Sequence, residues 1–330
     1  MHQHTHSQIP MKLIEKNMSG VLLLGQNSTP IGNAIRRFMM NKATFYSIGN
    51  VHITENDTPY PNEVLQQRIE LIPLRIPPWK ESIFKRNKIL IEISKDNYSR
   101  DKDLAVTSNH FSFVKMTHDN RVKKANINKK QFFRACPLTK RFIHIVDIPS
   151  LDSYLPELPH VKLKGVKKDH ASFRVQATIQ RDNGEKHIKF SPVSVAFIKN
   201  RHGSNELHFE SVGAYTPREI VKSTLEAIIT SVDTLMSKSK ITEEGVYTTG
   251  VDYGLLHLIR NKLVKKPDVL FCAIRKVHPL ENKIVLKLEL DSKCKRSVEK
   301  MLQHTLDQVK IDFVKLRLKM CDALRQQTPY

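Results

Sequence analysis

The sequence predicts an α+β fold of two related units in pseudo-twofold packing, the first of which carries a β-rich insertion. Three observations favour this fold. Apolar residues recur at helical spacing near both ends of the chain, period-two stretches such as KILIEIS and VSVAFIK occupy its middle, and a short apolar ladder occurs twice. A chain of 330 residues is long enough for two modest domains or for one domain with an insertion.

The first predicted helix lies in the segment STPIGNAIRRFMM, residues 28–40. Ser28 or Thr29 can cap it, and Pro30 suits its first turn. Its apolar stripe has the spacing i, i+3, i+4 and i+7 and consists of Ile31, Ala34, Ile35 and Phe38. Arg36 and Arg37 come late in this helix. An arginine pair there is usually a solvated face that the helix dipole favours.

A strand-like segment, 45–52, and a second helical pattern, 60–72, complete the first part of the chain. The prolines at 73, 77 and 78 end that pattern and indicate the boundary of an insertion. Residues 79–202 are dense in lysine and arginine and show period-two stretches, so they are predicted to form a β-rich inserted domain.

The insertion contains a basic segment, 120–146, without a single acidic residue. The basic residues that we consider for contact with nucleic acid or with a partner are Lys123, Lys124, Lys129, Lys130 and Arg134. Phe132, Phe133 and Phe142 are interleaved with them, as in a groove that binds a nucleic-acid strand. A solvated loop and a surface that docks an acidic protein are the two alternatives, since no established nucleic-acid-binding motif surrounds these residues.

The helical period returns at Pro217 and continues to Leu235. A Ser/Lys/Thr/Glu-rich stretch, 237–249, is predicted to be a linker. The second unit, 250–330, begins with a helix at 252–263, continues with a strand that alternates apolar residues from 284 to 290, and ends with a long amphipathic helix from 298 to 320. Together with residues 11–78 and 203–236 as the first unit, these assignments give the predicted domain organisation.

The two predicted units share a sequence ladder. IGNAIR at 31–36 and LLHLIR at 255–260 superpose as [IL]-x-[NH]-x-I-R, at corresponding places in each half. Two such ladders indicate related units, each burying an apolar stripe that the other leaves open.

The composition narrows the function classes. The net charge of +21, from 54 Lys+Arg against 33 Asp+Glu, favours an anionic partner such as nucleic acid, a membrane surface or an acidic protein. No apolar run approaches the length of a membrane-spanning helix, and four cysteines without a CxxC pair favour a reducing compartment over a disulfide framework. The sequence lacks phosphate-loop, HExxH, GxSxG and clustered-carboxylate motifs, so we expect no catalytic residues, no metal and no cofactor in this chain.

Four segments resemble one protein family, the α-like subunits of multisubunit DNA-directed RNA polymerases. PIGNAIRR (30–37) resembles the TLGNALRR signature, and YPNEVLQQRIELIPL (60–74) resembles the next stretch in the larger archaeal α-like subunit and in its eukaryotic equivalent, the third-largest subunit. EKHIKFSPVSVAF (185–197) and ELHFESVGAYTPREIV (206–221) are similar to the family's segments after its inserted domain.

The C-terminal part resembles the smaller archaeal α-like subunit and its eukaryotic equivalent. The segment 258–291 combines PDVLF with HPLENK at the family's spacing, which is the most specific signal in the chain. The resemblance therefore implies a fusion of both α-like subunits in one chain, as in some large DNA viruses, with two dimerisation units of antiparallel sheet plus packed helices.

The resemblance implies a non-catalytic platform on which the two largest polymerase subunits assemble. A small zinc-ribbon-type subunit is a further expected partner, DNA and RNA are reached through the complex, and the location is intracellular, in a host cytoplasm or virion or with a cellular polymerase. Because Arg36 and Arg37 match the arginines of the family's signature, the resemblance implies that they contact the second-largest subunit. The expected intrachain pairing residues are Ile31, Ile35, Phe38, Val221, Leu225, Ile228, Val232, Leu255, Leu258, Ile259, Leu302, Val309, Phe313 and Leu316.

The sequence also departs from the family. Many larger subunits carry a cysteine cluster in the inserted domain, whereas residues 85–140 hold only Cys136, so no metal is carried over. In the second half, Leu256 and His257 replace the family's Gly-Asn. Two alternatives stay open: a free-standing basic nucleic-acid-binding protein that uses the segment 120–142, and an enzyme of unrecognised type.

Overall fold

The computed structural model describes residues 12–26, 28–76, 89–116, 122–125, 127–136, 138–154, 169–242, 245–278 and 280–322. The chain divides into two compact units. The first unit contains residues up to 43, 193–211 and from 216 onward, and the second contains 44–192 and 212–215. Both combine antiparallel sheets with helices, which confirms the predicted α+β class.

The strands and helices of the described residues are numbered along the chain. The strands are β1 (Lys12–Lys16), β2 (Ser19–Gln26), β3 (Thr44–Asn56), β4 (Ile89–Asn97), β5 (Leu104–Thr107), β6 (Ser112–Met116), β7 (Val122–Lys124), β8 (His144–Ile148), β9 (Ala171–Asn183), β10 (Val193–Arg201), β11 (Ser204–Ser211), β12 (Ser239–Thr242), β13 (Gly245–Thr249), β14 (Val269–Lys276) and β15 (Lys283–Leu290). The helices are α1 (Thr29–Arg37), α2 (Asn62–Glu70), α3 (Leu151–Tyr154), α4 (Pro217–Asp233), α5 (Tyr253–Leu263) and α6 (Val298–Asp322).

The first unit consists of two halves with the same topology. Each half runs strand, strand, helix, strand, strand, helix. The first forms an antiparallel sheet of order β1-β2-β11-β10, and the second a sheet of order β12-β13-β15-β14. If the strands of each half are counted in chain order, both sheets have the order 1-2-4-3. The internal repeat predicted from the two sequence ladders is therefore present in the fold.

Helices join the two halves of the first unit. α1 of the first half packs against α5 of the second, and α4 packs against α6. The sheets turn one face toward these helices: in β2, Leu22 and Leu24 are fully buried while Val21 and Leu23 are half-buried. This alternation is typical of an antiparallel sheet with one face covered.

The prediction of a linker at 237–249 is wrong. Residues 239–242 and 245–249 form β12 and β13, which pair with each other and, through β13, with β15. Polar residues such as Ser239 and Lys240 suit this edge strand, whereas Val246 on the inner strand is fully buried. The actual connection between the halves is short, because α4 ends at Asp233 and β12 begins at Ser239.

The second unit is built on a five-stranded antiparallel sheet of order β3-β9-β4-β6-β7, with a separate β5-β8 pair. The prediction of a β-rich inserted domain is thus confirmed in secondary structure. Its core combines aliphatic side chains of β3, β4 and β9 with a group of phenylalanines, and α2 packs on β3.

The units divide at other positions than the predicted domains. β3, assigned from sequence to the first α-like unit, pairs with β9 from Thr44↔Asn183 to Asn56↔Phe173, so residues 44–76 belong with the insertion. β10 pairs with β11 in the sheet of the first unit. The inserted unit therefore begins at 44 and ends at 192, instead of spanning 79–202.

The insertion lies between the first helix and the third strand of the first half, where the second half has only a short loop. In the second half, residues 264–268 connect α5 to β14. In the first half, the whole segment 44–192 stands between the helical turn that ends at Lys42 and the start of β10. The two halves differ chiefly in the segment that connects their first helix to the next strand of the sheet.

Candidate assembly site

The two halves of the first unit meet at an arginine–carboxylate contact. Nε of Arg37 donates to Oδ1 and to Oδ2 of Asp252, at 3.2 Å each, and Nη2 donates to Oδ2 at 2.9 Å. The side chain of Asp252 is only 2% exposed, whereas that of Arg37 is 39% exposed. A planar guanidinium that contacts both carboxylate oxygens fixes orientation as well as charge.

Asp252 has a second role at this contact, as the N-cap of α5. Its Oδ1 accepts hydrogen bonds from the backbone N–H groups of Gly254, at 2.8 Å, and Leu255, at 3.3 Å. One carboxylate thus satisfies orphan donors at the start of α5 and binds a cation from the end of α1.

Gly254 provides the space for this contact. A Cβ at this position would lie 2.9 Å from Cδ of Arg37 and 2.9 Å from Oδ1 of Asp252. A larger residue would therefore displace one of the two partners, and a glycine is needed where the helices approach each other.

The start of α1 is held by its own sheet. Oγ of Ser28 donates to the carbonyl of Gly25 at 2.7 Å, and Nδ2 of the buried Asn205 in β11 donates to Oγ1 of Thr29 at 3.1 Å. A Cβ on Gly32 would lie 2.8 Å from Cδ1 of Leu24, so glycine allows α1 to lie close to the sheet. These contacts fix the position of the arginines at the other end of the helix.

A second contact between the halves is the pair α4–α6. Charged residues flank it: Nζ of Lys310 lies 2.6 Å from Oδ1 of Asp233, and Nη1 of Arg317 lies 3.9 Å from Oε1 of Glu226. Because these ion pairs are partly exposed, we attribute most of the stability of this contact to the apolar side chains between the helices.

The structure places nearly all of the expected pairing residues in the buried interior of the first unit. Ile31 is the exception, since it is half-buried. The buried ones are Ile35, Phe38, Val221, Leu225, Ile228, Val232, Leu255, Leu258, Ile259, Leu302, Val309, Phe313 and Leu316. They lie on or directly after the four helices that form the α1–α5 and α4–α6 contacts.

The two arginines that end α1 have different surroundings. Arg37 is engaged within the chain, at Asp252. Arg36 is half-buried and has no hydrogen-bond or ion-pair partner among the residues that the structure describes. The corresponding residue of the second half, Arg260, donates from Nε to the carbonyl of Cys272 at 3.2 Å. Of the two arginines, only Arg37 is therefore engaged by a carboxylate among the described residues.

The basic segment of the inserted unit differs from the predicted groove. Lys123, Lys124, Lys130 and Arg134 are exposed and Lys129 is half-buried, but the adjacent phenylalanines do not line a surface. Phe132 and Phe133 are 1% and 3% exposed and belong to the core.

Aromatic packing explains the burial. The ring centroids of Phe111 and Phe133 are 4.5 Å apart, and those of Phe113 and Phe132 are 5.0 Å apart. Phe142 is half-buried. The interpretation of Phe132 and Phe133 as part of a nucleic-acid-binding groove is wrong, since a bound strand cannot reach rings that lie inside the core.

Three of the four cysteines lie in different surroundings. Cys136, Cys272 and Cys294 form no disulfide. Burial raises the pKa of the Cys272 thiol to about 11, so it behaves as an apolar core residue. Backbone and side-chain hydrogen bonds from Thr139 lower the pKa of Cys136. In the described part of the chain, no three His, Cys, Asp or Glu residues are grouped so that they could hold a metal ion, and the absence of a cofactor stays a prediction.

No helix within the described ranges has both the length and the apolar composition needed to cross a membrane.

Sequence reasoning missed Asp252, Gly254 and Asn205 as site residues. For Asp252 a signal exists, because an aspartate directly before an apolar helix is typical of an N-cap. Its arginine partner lies 215 residues away in sequence, which no local pattern reveals.

A comparison with protein families agrees with the architecture of the second half. Residues 246–318, from β13 into α6, match the family described as the RNA polymerase Rpb3/Rpb11 dimerisation domain. The match covers most of one of the two sheets of the first unit, together with α5 and most of α6, which are the helices that contact α1 and α4. It supports the assignment of the second half to the α-like subunits of RNA polymerase.

Proposed function

We propose that the chain is a non-catalytic assembly subunit of a DNA-directed RNA polymerase in which both members of an α-like pair are fused. One observation carries the proposal. The half that matches the dimerisation domain packs, through α5 and α6, against a first half that has the same strand order and the same helix placement. A dimerisation domain whose partner of equal topology is already present in the chain is what such a fusion requires.

The function of the fused pair is to present a rigid surface to the two largest polymerase subunits, which carry the polymerase chemistry. Support for rigidity comes from the buried helix contacts and from the Arg37–Asp252 contact between the halves. A small zinc-ribbon-type subunit is a further proposed partner. The chain itself needs no metal or cofactor for this role, meets DNA and RNA through the complex, and is located wherever the polymerase is located.

Arg36 is the proposed contact to the second-largest subunit. It lies at the end of α1, is half-buried, and has no partner within the described residues. Arginine is well suited to such a contact, because its five donors can bind carboxylates and carbonyls of another chain. The family resemblance implies the same contact for Arg37. In the proposed arrangement Arg37 acts indirectly, because it fixes the end of α1 on which Arg36 lies.

Affinity purification tests the proposal. A tagged chain co-expressed with the two largest polymerase subunits should retain both in a one-to-one-to-one ratio. Val309→Asp places a charge on the buried face of α6 and should reduce this capture, whereas Lys265→Gln on an exposed loop should not. Recovery of the wild-type chain without either large subunit would overturn the proposal.

A further inference from the structure

A group of lysines on the inserted unit has no role in the proposed assembly. We call it the basic patch and define it as Lys129 together with the three lysines whose charges act on it, Lys95, Lys124 and Lys130. The residues come from β4, β7 and the single helical turn 129–131, so the fold assembles the patch from separate stretches of sequence. None of the four forms an ion pair in the described residues.

Lys129 lies at the centre of the patch. Its Nζ donates to the backbone carbonyl of Asn109, which fixes the ammonium group. The pKa of Lys129 is lowered, first by burial and then by the positive charges of Lys95, Lys124 and Lys130. All of these effects lower the pKa, and none of them comes from an acidic side chain.

A second group of lysines lies at the edge of the same sheet, on the opposite face from Lys124, because successive residues of a strand point to opposite faces. In the antiparallel pairing of β6 and β7, Lys115 stands directly opposite Lys123, and both are exposed. Like charges at directly opposed positions destabilise a sheet. This pair adds positive charge to the same sheet edge but lies outside the basic patch.

The described residues of 123–134 expose cations but no apolar side chain, whereas Leu138 and Ile143 beyond them are exposed. Among the described residues from 123 to 134, no aromatic or aliphatic side chain is exposed, because Phe132 and Phe133 lie in the core and Ile127 packs against it. A stable protein–protein interface has an apolar centre, which is missing from this described stretch. Binding to nucleic-acid phosphates needs only cations, and it does not depend on base stacking.

We infer that the basic patch binds the phosphodiester backbone of nucleic acid without base selection. This contact is separate from the proposed assembly role, since it uses the inserted unit and none of the residues of the first unit. The two can therefore fail independently: loss of nucleic-acid binding would leave the capture of the large subunits intact.

The test measures binding of the full-length chain to a fluorescein-labelled DNA duplex of about 20 base pairs as a function of salt. Each phosphate contact contributes about 0.9 to the slope of log Kobs against log salt concentration. Lys124→Gln/Lys129→Gln/Lys130→Gln should reduce the slope by up to about 2.7 and should weaken binding to all DNA sequences alike. Lys124→Gln/Lys130→Gln, which keeps the bond of Lys129 to Asn109, should reduce it by up to about 1.8.

The matched control is Lys265→Gln/Lys293→Gln/Lys295→Gln, three exposed lysines of the first unit. Both triple variants lower the net charge by three, from +21 to +18. Equal slopes for the two triple variants would overturn the inference, because net charge alone would then explain binding. Polyglutamate peptide serves as the second probe. An effect of the patch variants on polyglutamate binding with unchanged DNA binding would assign the patch to an acidic protein and would also overturn the inference.

Discussion

The guanidinium of Arg37 contacts both carboxylate oxygens of Asp252, a residue 215 positions later in the chain that also caps α5. The end of one helix is thereby fixed to the start of the corresponding helix of the other half. Asp252 is nearly inaccessible, so a carboxylate that loses this partner would be left buried with only its two backbone donors.

Removal of the arginine should therefore destabilise the first unit. Loss of a partner to a buried carboxylate costs about 1–3 kcal/mol in the free energy of unfolding. Because Arg37 is partly exposed, we expect Arg37→Ala to lower the free energy of unfolding by an amount near the lower limit of this range. Asp252→Asn keeps the cap and removes the charge. In urea denaturation, the double variant should show a coupling of at least about 0.5 kcal/mol, on the order expected for residues in contact. Additive effects would contradict the contact.

Arg36 should behave in the opposite way. Arg36→Ala removes no bond within the described residues, so the unfolding midpoint should stay close to that of the wild type. Capture of the second-largest subunit in a pull-down should decrease, and Arg36→Lys should restore it only partly because lysine lacks the planar fork. Undiminished capture by Arg36→Ala would refute this role of Arg36.

The opposed lysines of β6 and β7 allow stability and binding to be separated. Lys115→Glu converts a like-charged pair with Lys123 into an opposite-charged one, so the free energy of unfolding should rise by about 0.2–1 kcal/mol. The same change should weaken DNA binding less than Lys124→Gln/Lys129→Gln/Lys130→Gln does, because Lys115 lies outside the basic patch. Lys115→Gln is the control, with a smaller gain in stability. A loss of stability in Lys115→Glu would show that the two side chains do not interact.

The protonation of His110 should make the stability of the inserted unit depend on pH. Nδ1 of His110 accepts a hydrogen bond from the backbone N–H of Thr107 at 2.9 Å, which requires an unprotonated nitrogen. Burial, Lys95 and Lys129 lower the pKa of His110 below its usual value of 6.5. In the unfolded chain the ring takes up a proton near pH 6.5, and in the folded chain only at lower pH. Stability should therefore decrease as the pH falls below about 6.5.

Thermal unfolding at a pH of about 7.5 and of about 5.5, on either side of the ordinary histidine pKa, measures this effect. His110→Asn can keep an acceptor for Thr107 but cannot titrate, so the part of the pH dependence due to His110 should disappear in this variant. Carboxylates that titrate at lower pH contribute equally to both proteins, and the difference between them isolates the histidine. An equal pH dependence in both would disprove the linkage.

Much of the helical part of the fold could be predicted from the sequence. The period of the apolar residues in 217–235 and 298–320 corresponds to α4 and α6, because burial of one face imposes that spacing on a helix. The repeat was also predictable from the ladders at 31–36 and 255–260. The strand β12 was not, because an edge strand with exposed Lys and Thr resembles a linker.

The site was less predictable, since it depends on contacts between distant segments. Burial of Phe132 and Phe133 results from the positions of Phe111 and Phe113 in three dimensions, which alternation of basic and aromatic residues does not reveal. The division of the chain at 43 and 192 likewise depends on the pairing of β3 with β9, strands that are far apart in sequence.

The short connection between α4 and β12 has a consequence for how the pair is supplied. The two halves belong to one chain, so each newly made molecule contains both in equal amount. Only residues 234–238 separate them. Their local concentration is then set by the tether, on the order of millimolar for a short linker, and does not fall when the protein is diluted. Synthesis of this chain therefore needs no mechanism to balance the amounts of the two halves, and neither half is made without the other.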